Sequence, residues 1–192
     1  MPDPRPDVLD FLLTRRSRPA KTLAAPGPEP AALEQLLTAA LRVPDHGKLE
    51  PWRLIVIEGA ALNRIATEAE NFGTALGLEA SKIEKQAKSF RDGPVIVAVV
   101  SSPKPSEKIP LIEQQHSAGA VCLSLLNAAL AAGWGANWLS GWAAHDPQFL
   151  SAALGLSGEE TLAGFIHIGK ETTAPPERPR PDIKALTEWV AQ

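Results

Sequence analysis

The residues best suited to chemistry fall in three short stretches. The first is RRSR, residues 15–18, at the end of an amphipathic run. Guanidinium forks beside a hydroxyl match the oxygens of a phosphate, although cations at a helix C-terminus also complement the helix dipole. The second is RVPDHGKLEPWR, residues 42–53, which crowds Arg42, His46 and Lys48 into one connection with an aromatic plane, Trp52. Such a loop suits an anion or a flat ring, while a lone histidine is as often structural. The third is GWGANWLSGW, residues 133–142, with three tryptophans and three glycines. Glycines at a strand end let a backbone approach a flat ligand; the other reading is aromatic packing within a core strand.

Several chemistries lack their residues. The four histidines show no HExxH or HxH spacing, and one cysteine provides neither a disulfide nor a multi-cysteine metal site, so no metal is expected. Cys122 sits in an apolar helical run as a small hydrophobe. No GxSxG elbow surrounds Ser124, Ser140 or Ser151. Neither GxGxxG after a first strand nor GxxxxGK[ST] occurs, so a bound nucleotide would be held by side chains. A net charge of −3 gives no basic face for nucleic acid. The start lacks a basic segment followed by a long apolar one, and no apolar stretch is long enough to span a bilayer. A cytoplasmic protein that engages neither membrane nor nucleic acid is expected.

The elements that must position these stretches follow from periodicity. A chain of 192 residues is expected to form a single domain, 1–192. Residues 7–16 place Val8, Leu9, Leu12 and Leu13 on one helical face. Further helices are expected over 28–42, over 59–91 with a break near Gly73 and Gly77, over 111–133 and over 147–154. Residues 54–57, 135–139 and 162–169 read as strands. The β-branched run 94–101 implies a strand buried on both faces. A Pro-rich tail, 174–181, leads to a closing helix, 182–191. Strands alternate with a majority of helical residues, which predicts a mixed sheet wrapped by helices rather than a repetitive doubly wound fold.

RRS after a first amphipathic helix, R-x-PDHG-KLEPW leading into a strand that ends in EG, an SAGA helix and GW-GANW-SG, in this order, resemble the flavin-dependent nitroreductases, in particular their short, YdjA-like NAD(P)H nitroreductase branch. The resemblance spans roughly residues 7–169. It implies the nitroreductase-like α+β fold, with a central, mostly antiparallel mixed sheet surrounded by helices, and a domain-spanning homodimer with FMN at the subunit interface. Arg15, Arg16 and Ser17 would contact the FMN. Arg42 and His46 would reach the flavin held mainly by the other subunit. Trp138, Leu139 and Ser140 would line the ring, and the stretch from Ala128 to Gly133 would serve NAD(P)H. Leu139 stands where short members of the family carry an arginine. Arg178 and Arg180 lie near the position of a phosphate-binding cation in longer relatives.

The implied activity is an FMN-dependent, ping-pong transfer of reducing equivalents from NAD(P)H to a small-molecule acceptor such as a nitroaromatic or quinone. The flavin carries the chemistry, so no catalytic side chain is expected. The alternatives are a flavoprotein of the same fold with other chemistry (dehalogenation, flavin destruction, ene reduction), a flavin-binding module without turnover such as a redox sensor, and a structural interaction protein.

Overall fold

The computed structural model describes residues 3–191. In chain order the elements are α1 (Pro6–Thr14), β1 (Leu23–Ala24), α2 (Pro30–Ala40), β2 (Trp52–Ile57), α3 (Ala60–Ala75), α4 (Ala80–Arg91), β3 (Val95–Ser101), α5 (Leu111–Ala131), β4 (Gly135–Leu139), α6 (Pro147–Leu154), β5 (Thr161–Glu171) and α7 (Ile183–Leu186). β3 organises the molecule, and every one of its residues is buried. Its side chains alternate between two cores, as a strand covered on both faces requires. Val95, Val97 and Val99 join α2 and α5, whereas Ile96, Ala98 and Val100 join α3, α4 and α6.

β3 pairs with β2 on one side and with β5 on the other, with Leu54 opposite Val99 and Val97 opposite Ile166. The far edge of β5 is shared by β4, with Ala136 opposite Ile168, and by β1, with Leu23 opposite Glu171. All pairings are antiparallel. The expected α+β architecture is therefore met, without a parallel pair among the described residues.

Three elements differ from expectation. β1 is only two residues long and carries no periodicity to detect. The closing helix is one turn, Ile183–Leu186, rather than 182–191. Its apolar residues Ile183 and Leu186, with Trp189 and Val190 beyond, are all exposed, so nothing among the described residues buries them. α1 ends at Thr14, and Arg15, its C-cap, is already extended at φ −56°, ψ 146°. The arginines of RRSR thus lie past the last turn. Val8, Leu9, Leu12 and Leu13 share a face as expected, but all four are exposed, Leu13 at 68%.

A bidentate ion pair fastens the start of β2 to the turn before β5. Arg53 Nε and Nη2 donate to Glu160 at 2.7 and 2.8 Å, and Ser157 N donates to the same carboxylate at 3.0 Å. The Arg53 guanidinium is the main reason the Glu160 carboxyl is held down at about 2. A depressed carboxyl contributes stability above its unfolded value of 4.5, which is lost as pH falls through the folded one. Glu160→Gln is expected to cost about 1–2 kcal/mol at neutral pH. Urea titrations should show that cost shrinking toward pH 2.

Candidate functional site

RRSR and GANW meet because the chain leaving α1 runs alongside β4. Arg18 N donates to Ala136 O at 2.8 Å, and Asn137 Nδ2 donates back to Arg18 O at 2.8 Å. Arg18 Nε also lies 3.3 Å from Glu171 on β5. These contacts turn Arg15, Arg16 and Ser17 into a pocket of about 450 Å³ shared with Pro19, Asn137, Trp138, Arg178 and Arg180. The Pro-rich tail thus brings its two arginines to RRSR.

The pocket is rich in donors and short of negative charge. Arg15 Nη2 bonds Ser17 Oγ at 3.2 Å, but Arg15 Nε and Arg16 Nη1 are buried without a hydrogen-bond partner. Burial first, then the Arg180 and Arg18 charges, push the Arg15 guanidinium down from its ordinary value. Of these pocket-lining arginines Arg180 pairs with a carboxylate, its Nη2 lying 3.0 Å from Glu177, while Glu171 borders an adjoining hollow with Arg15 and Arg16. Buried donors without acceptors are costly, and guanidiniums of this number suit a dianionic phosphate. The residues present therefore fit the phosphate end of FMN.

Trp138 forms the boundary of a second cleft, about 460 Å³, lined by Leu139, Ser140, Gly141 and Trp142 together with Lys82, Lys85, Gln86 and Ser89 of α4. The Trp138 indole lies across β5, its Nε1 donating to Ala163 O at 3.2 Å. Gly164 permits this: a Cβ there would overlap the indole nitrogen and sit 2.5 Å from Cδ1. Gly164→Ala is expected to displace Trp138, seen as a loss of near-UV circular dichroism and as weaker flavin retention.

The other expected site residues lie elsewhere in this protomer. Gly133 ends α5 and, with Arg15, Arg16 and Trp134, lines a separate hollow of about 340 Å³. Ala128 lines a groove between α1 and α5 with Val8, Phe11 and Leu12. Neither borders the Trp138 cleft. Arg42 and His46 are exposed and line none of these hollows. The loop that carries them is nonetheless well fixed. His46 Nδ1 is 2.6 Å from Glu113 Oε2, and the Asp45 carboxylate accepts from Leu49 N and Glu50 N. Trp52 is not a ligand wall: its Nε1 donates to Ser117 Oγ at 3.0 Å, and that hydroxyl donates to Pro44 O at 2.8 Å. Its ring packs into the α2–α5 core.

The α4 residues were missed in the sequence, although a signal existed. Lys82, Lys85, Gln86 and Ser89 are spaced to fall on one helical stripe. Nothing in that spacing says what the stripe faces.

An antiparallel α+β domain thus presents, at the end of one strand, an aromatic wall between an arginine pocket and an open cleft. The chain belongs to the nitroreductase family, whose model matches residues 12–170. It is 34% identical over 163 residues to "Putative NAD(P)H nitroreductase YdjA" of Escherichia coli (strain K12), covering 85% of this chain and 87% of that protein. Among solved structures it resembles a nitroreductase-like family protein from Bacillus cereus, with a TM-score of 0.84 and 23% identity over 100% of both chains. It also resembles a variant of the FMN and NADPH-dependent nitroreductase NfnB derived from sphigopyxis sp. strain HMH, with a TM-score of 0.72 and 19% identity over 95% of this chain and 98% of that one. At those identities the two structures establish the fold.

Proposed function

We propose that this nitroreductase-family enzyme binds FMN between two copies of the chain and uses NAD(P)H to reduce electrophilic acceptors such as nitroaromatics and quinones. The observation that carries this reading is the pair of orphaned buried donors, Arg15 Nε and Arg16 Nη1, in an arginine pocket that adjoins Trp138. Arg15, Arg16 and Ser17, helped by Arg178 and Arg180, hold the phosphate side, while Trp138, Leu139 and Ser140 border the ring. Bound FMN supplies the two-electron exchange between reductant and acceptor. For a nitro acceptor each turnover consumes NAD(P)H and one proton and releases a nitroso product, oxidised nucleotide and water.

Dimerisation is supported by apolar surface that this protomer leaves uncovered. The α1 face, Leu111, Ile112 and Leu123 on α5, and the segment from Ile183 to Val190 are exposed. Exposed large apolar residues on three elements are surface that a partner would cover, and a two-fold contact would generate two equivalent sites. It would also give Arg42 and His46 a role, because they lie outside the cofactor pocket of their own protomer.

The test is the visible absorption spectrum of the purified protein before and after anaerobic NADPH or NADH. A flavin spectrum that bleaches, with FMN released on denaturation, is expected. A flavin spectrum that pyridine nucleotides leave unchanged would favour a binding module. Failure to take up added FMN would end the assignment.

A further inference from the structure

We infer that the cleft between α4 and residues 138–142 is built for a flat ligand carrying an anionic group, and that Lys82 and Lys85 recognise that group. The inference rests on the proposed function, which makes this cleft the approach to the flavin ring.

Composition gives the first argument. The lining includes two lysines, Gln86, Ser89 and Ser140, and no carboxylate. Its other wall is Trp138, Leu139 and Trp142. An apolar aromatic body is therefore accommodated beside a cationic rim, a combination that selects for aromatic carboxylates or phosphates over neutral analogues.

Charge pairing within α4 gives the second. Lys88 lies 2.5 Å from Asp92, and Arg91 lies 2.8 Å from Glu70. Lys82 is 3.3 Å from Glu79, with both side chains exposed, an arrangement worth little in water. Lys85 has no ion-pair partner among the described residues. The two cations directed to the cleft are thus the least neutralised on the helix.

Packing gives the third. α4 is held against the far wall rather than standing free of it. Gln86 is buried, its amide occupying the space that a side chain on Gly141 would take. The Gln86 amide nitrogen also lies 3.3 Å from Ser89 Oγ. The packing of Gln86 on Gly141 fixes the distance between the lysine stripe and the tryptophan wall, so the rim is part of a formed cleft.

The anionic group has two sources in a ping-pong cleft: a carboxylate on the acceptor or a phosphate on the reductant. Titration calorimetry on the FMN-loaded protein with benzoate and with benzamide reads the anion site directly. Benzoate is expected to bind about 10-fold more tightly, and Lys85→Met or Lys82→Met to remove most of that preference while leaving benzamide binding unchanged. Equal binding of the two compounds overturns the inference, as does a preference that survives the double Lys82→Met, Lys85→Met variant. Stopped-flow measurements then assign the source. Loss in the variants of a preference for 4-nitrobenzoate over 4-nitrobenzamide during reoxidation identifies the acceptor; loss of a preference for NADPH over NADH during reduction identifies the reductant. If neither nucleotide bleaches the wild-type protein, the functional reading fails. Because benzoate binding is measured separately, the two failures are distinguishable.

Discussion

Arg16→Ala is expected to lower the affinity for FMN by about 30–100-fold, equivalent to the loss of one or two charge-assisted hydrogen bonds to a buried acceptor. Arg16 Nη1 is buried with no partner among the described residues, so the donor has its full value to offer a ligand. Arg15 differs in that its Nη2 is already committed to Ser17, and its charge is opposed by Arg180 and Arg18. Its removal both deletes a donor and relieves repulsion, so Arg15→Ala should cost less than Arg16→Ala. Arg180 is half exposed and shared with Glu177, so Arg180→Ala should cost least of the three. The measurement is titration of apoprotein with FMN and, separately, with riboflavin, which lacks the phosphate. If these arginines hold the phosphate, Arg16→Ala weakens FMN and leaves riboflavin almost unaffected. Equal losses for both ligands would place Arg16 against the ring or ribityl chain instead, and unchanged FMN content would remove it from the site. Binding also stabilises the folded state by mass action, so FMN should raise the melting temperature of the wild-type protein more than that of the variant.

β3 is legible in the sequence because a run of β-branched residues with no polar member has few places to go except between two layers. RRSR and GANW are legible as recognition elements by composition, but their meeting depends on the tertiary bonds between Arg18, Ala136 and Asn137. The α1 face is legible as a stripe, yet periodicity gives only the direction of an apolar face and not what covers it. Here no residue of α1 is buried within the chain. Trp52 shows the opposite limit: an aromatic residue beside a histidine and cations suggests a ligand wall, but its indole is taken by Ser117. The lysine stripe of α4 has the plain appearance of a solvated face, and only its packing on Gly141 reveals the cleft. A resemblance that places Ala128 and Gly133 near the nucleotide does not itself draw them to the Trp138 cleft. In this protomer they border other hollows.

His167 is expected to give the protein an acid-sensitive stability. It lies on β5 at 1% exposure, opposite Ile96 on one side and Asn137 on the other, and its Nε2 has no hydrogen-bond partner. His46, His116 and His145 are exposed. Burial alone pushes the His167 imidazole down to about 4 from its ordinary 6.5. Protonation in the folded state is therefore disfavoured, while the unfolded chain takes up the proton with ordinary affinity. Since the folded value lies below the unfolded one, stability is complete above about pH 6.5 and declines as pH falls toward 4, by about 3 kcal/mol over that interval. This interval lies above the one governed by Glu160, whose carboxyl loses its contribution between 4.5 and about 2. Acid unfolding should accordingly have two limbs, and His167→Leu should remove only the upper one. The substitution replaces a buried polar ring with an apolar side chain of similar volume, so its effect at pH 7.5 should stay within about 1.5 kcal/mol. At pH 4.5 the variant should be about 2 kcal/mol more stable than the wild type. Urea titrations at the two pH values, at one protein concentration and with m unchanged, make the comparison. Parallel pH profiles would show that the imidazole finds a partner or solvent on protonation. A variant stabilised only at pH 4.5 would identify the desolvated imidazole as the origin of the upper limb, because removing a neutral, unpaired ring has no other reason to help more in acid than at neutrality.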